Sequence, residues 1–244
     1  MMRFDVLTIF PELFNHVMNE SVIGRAQKNG IITVNALNIR DYTNNKHKKV
    51  DDYPYGGGSG MVMAVQPIYD AYMDIAGKLP KKPKVIYMSP QGRVLDQQLA
   101  VSLKEEEHIV ILCGHYEGVD ERIIEEIVDL EVSIGDYVLT GGELPAMVLI
   151  DCISRLIPGV LSSEDAYSVE SHFNGLLEFP QYTRPYEFNG KQVPDILISG
   201  HHANIEAWRR RQSIIRTYRK RPDLIKKNKA YQKELDKILA EEEI

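Results

Sequence analysis

Short, mostly apolar runs rich in β-branched side chains recur through the first part of the chain: Arg3–Phe10 (RFDVLTIF), Ile31–Ile39 (IITVNALNI), Lys84–Pro90 (KVIYMSP), His108–Gly114 (HIVILCG) and Glu131–Ile134 (EVSI). Their length and composition predict strands, and the helical-period segments between several of them predict an α/β domain around a mostly parallel sheet. Three loops that follow these runs carry glycine: Ser89–Arg93 (SPQGR), Gly114–Gly118 (GHYEG) and Ile134–Gly142 (IGDYVLTGG). Ligands of open α/β sheets bind at the carboxyl ends of strands, where main-chain groups are free and glycine permits close approach. The three loops are therefore expected to converge on one pocket. Beyond the third, a helix is expected to begin near Glu143 with Pro145 in its first turn.

After the apolar-rich stretch IDCISRLIPGVL the pattern is lost. Residues 161–175 (LSSEDAYSVESHFNG) are polar, without a period, and read as a linker or mobile segment. In HANIEAWRRRQSIIRTYRKR, Ile205, Trp208, Ile215 and Tyr218 fall at helical spacing with arginines on the other faces, which predicts an amphipathic helix in a smaller C-terminal domain.

A chain of 244 residues with 43% apolar content can fill one large core, or a large one and a small one. No run reaches the roughly 18 to 20 apolar residues of a membrane helix, and the N-terminus carries Asp5 and Glu12 where a signal peptide would be apolar; a cytoplasmic protein is expected. Cys113 and Cys152 form no CxxC pair and read as plain thiols of a reducing compartment. The net charge of −6 conceals an asymmetry. Of 29 Lys and Arg and 35 Asp and Glu, ten and one fall between Trp208 and Lys229, leaving 19 and 34 elsewhere. A basic patch on an acidic body is a footprint of a polyanionic partner, although a solvated helix face gives the same composition.

Neither GxGxxG nor GxxxxGK[ST] occurs, and GGGSGM at 56–61 follows VDDYPY rather than a strand. HExxH, GxSxG and paired CxxC motifs are missing as well, so zinc proteolysis and serine hydrolysis have no support. The remaining picture is a pocket rich in main-chain donors and acceptors, poor in nucleophiles, in a chain that also carries a polyanion-binding element.

Six segments, VDDYPYGGGSGM, LCGHYEGVDERI, IGDYVLTGGELPAM, SRLIPGVL, LLEFPQYTRP and LISGHHANI, resemble in order and spacing the bacterial tRNA (guanine-N1)-methyltransferases that modify position 37, beside the anticodon. The likeness runs from about Arg3 to about Leu224. It implies a SPOUT-type α/β fold: a mostly parallel sheet with a deep C-terminal trefoil knot in the catalytic domain, plus a small helical C-terminal domain. By this resemblance residues 1–160 form the S-adenosylmethionine-binding catalytic domain, 161–175 the linker and 176–244 the tRNA-binding domain. It also implies a homodimer whose active sites are shared between chains.

Carried over residue by residue, contacts to S-adenosyl-L-methionine fall on Tyr87, Ser89, Pro90, Gly114 and Tyr116, on Ile134, Gly135, Asp136, Tyr137, Val138 and Leu139, and on Gly141. Main-chain groups there can read an adenine edge while Ile134, Val138 and Leu139 cover its faces. Magnesium dependence in the family places Mg2+ among the expected cofactors, with Glu117 near the methionine end of the donor; Glu117 and Asp120 also read as acids at a helix N-terminus. No ligand set is legible.

Methylation at guanine N1 requires removal of the N1 proton by a general base, and negative charge then develops toward O6. Arg155, in SRLIPGVL, matches the family's catalytic arginine. The family's base is an aspartate in DSFxxGLL; here the segment reads ESHFNGLL, placing Glu170 at that position, one methylene longer, and His172 where phenylalanine is usual. His201 replaces the asparagine of the family's SGNHA pattern, while His202 matches it. Two rival classes remain: an inactive RNA-binding protein on the same fold, and a dinucleotide oxidoreductase, which lacks its fingerprint.

Overall fold

The computed structural model describes residues 1–162, 167 and 169–242. The chain divides into two compact units, Met1–Glu164 and Asp165–Ile244. In the first, β1 (Met2–Thr8) is followed by α1 (Pro11–Met18), α2 (Ser21–Lys28) and β2 (Ile32–Asn38). A two-residue hairpin, β3 (Asp51–Asp52) with β4 (Val62–Met63), precedes α3 (Val65–Ala76) and β5 (Lys84–Val94). Next come α4 (Gln97–Leu103), β6 (His108–Cys113), α5 (Glu121–Ile127), β7 (Leu130–Ser133) and α6 (Glu143–Ser154).

Five strands form one sheet in the order β2-β1-β6-β5-β7, and every pairing in it is parallel. The predicted strands are thus all present, and the fold is α/β. Parallel strands need crossovers, and the crossover helices cover both faces. This explains why β1 and β6 read as near-continuous apolar runs rather than as alternations: Phe4, Val6, Ile109 and Ile111 face one apolar cluster, Leu7, Val110 and Leu112 the other. Helices α1, α2, α4 and α6 fill the first cluster, α3 and α5 the second. Ile150 and Ile153 of α6 are fully buried; truncating either to Ala costs about 2–5 kcal/mol.

Asp5 is an exception within the β1 core. Wholly buried, it accepts from Arg3 (3.1 Å) and Asn35 (3.0 Å) and lies 2.7 Å from Nε2 of His108. Burial pushes its carboxyl up, but the hydrogen bonds from His108, Arg3 and Asn35 together hold it below the ordinary carboxylate value. The charge survives in the core because it is fully partnered.

The second unit carries a small hairpin, β8 (Glu187–Phe188) with β9 (Lys191–Gln192), and the helices α7 (His202–Lys220), α8 (Pro222–Lys226) and α9 (Lys229–Glu242). Its described core is Leu176, Ile214, Ile225, Leu235 and Ile238. Helix α7 is present as the periodicity predicts and buries Ile205 as expected, but toward its C-terminal end the buried face is displaced by one residue, to Ser213, Ile214 and Thr217. Thr217 is wholly buried and Tyr218 is 45% exposed. The threonine is tolerated because its hydroxyl donates to Ser213 O (2.6 Å) and accepts from Leu177 N–H (2.8 Å).

Of the expected linker 161–175, residues 163–166 and 168 lie outside the described residues. The part that follows is a set of turns: Glu170 N–H donates to Tyr167 O (3.2 Å), Gly175 N–H to His172 O (3.2 Å), and the Tyr167 and Phe173 rings lie 5.2 Å apart.

Candidate active site

The carboxyl ends of β6, β5 and β7 lie side by side, so the segments that leave them are brought together. Each is shaped locally. After Met88 the chain swells out of β5 and rejoins β7 at Arg93, so the expected loop Ser89–Arg93 is a bulge within a longer strand. Gly92 permits this, since a Cβ there would strike the main chain of Glu131 and Val132. Ser89 Oγ accepts from Gln91 N–H at 3.2 Å and holds the bulge.

After β6, Gly114 packs under Tyr87: a Cβ at Gly114 would sit 2.8 Å from the phenol oxygen. Tyr116 takes a positive φ of 59°, and the main chain of Glu117–Asp120 is zipped to Met61–Met63 by three hydrogen bonds of 2.9–3.0 Å. Gly60, at the end of the glycine-rich hairpin loop, lacks a Cβ where the Glu117 side chain lies. The hairpin thereby braces the cleft rim.

After β7, Ser133 Oγ donates to Gly135 O (2.9 Å) and accepts from Gly135 N–H (3.1 Å). Tyr137 N–H returns to Gly135 O (2.9 Å). The segment ends against the Gly114 loop, with Gly142 N–H donating to Gly114 O (2.8 Å) and a bridge between His115 and Gly141. Gly142 approaches so closely that a Cβ would lie 2.8 Å from Cα of Cys113. Helix α6 begins at Glu143, as expected, with that side chain buried and accepting from Thr8 Oγ1 at 2.8 Å. A carboxylate in the first turn meets the positive end of the helix dipole.

These three segments enclose a cleft of about 360 Å³. Tyr87, Ser89, Pro90, Gly114, Tyr116, Ile134, Gly135, Tyr137, Val138, Leu139 and Gly141 all line it. Asp136 does not; its side chain is exposed, turned off the wall in the tight Gly135–Tyr137 bend. Sequence reasoning passed over Glu131, Glu121 and Gly142, which also line the cleft. The signal for Gly142 was its place in the GG pair; nothing local marked the strand residue Glu131.

The charged lining is Glu117, Glu121 and Glu131, with His115 and no Lys or Arg. Such a wall repels phosphate and suits a cationic ligand. Burial, and after it the Glu131 carboxylate, push the Tyr87 phenol up, against a main-chain hydrogen bond with Val119, so it is a neutral hydroxyl at pH 7. Nδ1 of His115 is buried without a hydrogen-bond partner, an orphan polar atom on the cleft wall of the kind a ligand or water satisfies. Burial also pushes the Cys113 and Cys152 thiols up, so both are protonated and inert. Among the described residues no group of three His, Cys, Asp or Glu side chains is placed to hold a metal ion.

Arg155 caps the end of α6 in the first unit, its N–H donating to Asp151 O at 3.1 Å. Glu170 and His172 belong to the turns that open the described part of the second unit; His172 is exposed and takes a φ of 75°. The arginine-rich helix is less free than its composition implied. Arg209 pairs with Glu206 (2.6 Å), Arg210 with Glu234 (2.8 Å), Arg211 with Glu241 (2.6 Å) and Arg221 with Asp223 (2.8 Å).

Fold and cleft together define a class: α/β proteins with a ligand-sized, acidic, glycine-walled cleft at the carboxyl ends of a parallel sheet. Within it, the family model described as tRNA (guanine-1)-methyltransferase TrmD matches residues 2–227, and the chain belongs to that family. Similar proteins named tRNA (guanine-N(1)-)-methyltransferase occur in Ruminiclostridium cellulolyticum (70% identical, covering 93% of this chain and 97% of the relative) and Lachnospira eligens (59%, covering 91% and 94%). One from Staphylococcus aureus is 56% identical, covering 93% and 91%. No helix among the described residues is long and apolar enough to cross a membrane.

Proposed function

We propose that this chain transfers a methyl group from S-adenosyl-L-methionine to N1 of the guanine at position 37 of tRNA, on the 3′ side of the anticodon. The observation that carries the reading is the cleft: glycine-walled, lined by three carboxylates and free of Lys and Arg, in a chain of this family. Its size and charge fit the donor, whose sulfonium and ammonium outweigh its carboxylate. Bound there, the donor supplies an electrophilic methyl group on a good leaving group.

The chain's own residues do the rest. Main-chain groups around Ser89, Gly114 and Gly141 fix the donor's orientation, while Ile134, Val138 and Leu139 cover adenine and exclude water. Glu170 takes the N1 proton of guanine, and Arg155 donates to O6 as negative charge gathers there. The main chain of His172 helps hold the turn that carries Glu170, donating to Leu176 O and accepting from Gly175 N–H.

The working form is a homodimer, each site combining the cleft of one chain with residues 161–175 and the C-terminal tRNA-binding domain of its partner. Support comes from apolar pairs left in solvent at one-turn spacing, Leu13 and Val17 on α1 and Leu144 and Val148 on the neighbouring α6. The ties from Gly141 and Gly142 back to the loop after β6 support the trefoil knot. The compartment is the cytoplasm, where tRNA and donor meet. Mass spectrometry of unmodified tRNA incubated with enzyme and donor tests the whole reading. One methyl group on guanine 37 is expected; no incorporation, or a methyl group elsewhere, overturns it.

A further inference from the structure

We infer that the RNA surface of the second unit is centred not on the arginine run 209–211 but on a hollow between the end of α7, α8 and α9, where an unstacked nucleotide of the tRNA docks. This inference rests on the tRNA reading above. The hollow encloses about 320 Å³, with Tyr218, Ile225 and Leu235 as aromatic and apolar wall and Lys226, Gln232 and Asp236 as polar groups. An aromatic face, an amide, a carboxylate and a cation around a hollow of this size are what a splayed-out base and its phosphate require. Tyr218 is the residue whose exposure contradicted the helical pattern, and the hollow accounts for its position.

Charge distribution points the same way. Arg210 is held by Glu234 through two hydrogen bonds (3.1 and 2.8 Å), and its guanidinium lies 4.9 Å over the Tyr231 ring. Arg209 pairs with Glu206 and stacks over Phe179 at 4.9 Å, while Arg211 is taken by Glu241 of α9. Phosphate would have to displace a carboxylate at each, two of them from stacked guanidinium groups. Glu234 and Glu241 do not drift away, because Leu235 and Ile238 anchor α9 in the small core. By contrast Arg219, Lys220 and Lys226 are exposed, and among the described residues none has a carboxylate within ion-pairing distance. Cations in the last turn of α7 also suit its dipole, but Lys226 lies outside that helix and on the hollow itself.

The test is binding of unmodified tRNA to the full-length chain over a range of KCl, for five variants. Arg219→Gln with Lys220→Gln should weaken binding about tenfold and flatten the slope of log K against log salt by about 1.4, as for two lost contacts to a single strand. Tyr218→Ala should weaken binding about tenfold at unchanged slope, and Tyr218→Phe should restore it. Arg210→Gln should change affinity less than twofold. Lys226→Gln, at an exposed position, should lower the slope by about 0.7. An Arg210→Gln effect equal to that of the Arg219/Lys220 pair, or unchanged binding in the Tyr218→Ala and Lys226→Gln variants, overturns the inference. Wild-type chain that binds no tRNA would instead remove the functional reading beneath it.

Discussion

In the first unit the proposed donor cleft is walled by main chain held from behind by a deep core, whereas in the second the proposed tRNA surface is side chains standing on a core of five described residues. The walls of the cleft come from strands β5, β6 and β7, and the segments after them lie within a few tenths of an ångström of what glycine alone allows. Helix α7 carries long charged side chains, three of them committed to carboxylates of their own unit, as is Arg221 just beyond its end. The first arrangement offers a fixed shape with an acidic wall shielded in a cleft, whereas the second offers exposed charge that salt can screen.

Four experiments would break or sharpen that contrast. The largest effect is expected from Glu170→Gln, which keeps the side chain's size but removes the carboxylate proposed as base: turnover should fall by about two decades or more with donor binding intact. Near-normal turnover at saturating tRNA would hand the proton to another group.

Salt should separate the units next. With three unpaired cations as contacts, raising KCl from about 50 to 200 mM should weaken tRNA binding by a factor of about 10 to 20. Calorimetry with S-adenosylhomocysteine over the same range should show almost no change, and a parallel loss would mean that charge, not shape, holds the donor.

Gly114→Ala comes third, since its Cβ would meet the Tyr87 phenol at 2.8 Å and push it toward the cleft. A loss of about fivefold in donor affinity with unchanged tRNA affinity is expected, in line with about 1 kcal/mol for overpacking. Equal loss of both affinities would indicate a general structural defect.

The smallest effect concerns acid. Because the folded-state value of Asp5 lies below its unfolded value, its contribution to stability is present above pH about 4 and is lost as pH falls through the depressed value. Asp5→Asn should therefore be less stable near neutrality, by about 1–3 kcal/mol, and should show a shallower decline of stability on acidification in denaturant titrations. An identical acid decline in both proteins would assign it to other carboxylates.

The five strands, the start of α6 at Glu143 and the existence of α7 follow from runs and periods that adjacent residues carry by themselves, because burial on both faces of a parallel sheet demands continuous apolar stretches. Glycine after a buried strand likewise marked the three loops that meet in one cleft, while the twelve donor contacts, eleven of which line it, came from the family resemblance.

What adjacent residues do not encode is partnership across the chain. That Asp5 is a satisfied core charge depends on His108, and that Glu143 is buried depends on Thr8. Whether an arginine is free for phosphate depends on Glu234 and Glu241, more than twenty residues away. Thr217 displaced Tyr218 from the core because a hydroxyl can be buried once Ser213 and Leu177 satisfy it, and period alone ranks the tyrosine first. The linear order of this chain thus determined its sheet, its helices and its glycine turns, which are local choices of backbone. Only the tertiary structure decided which charges are spent internally and which remain for a ligand, because electrostatic pairing depends on distance in space.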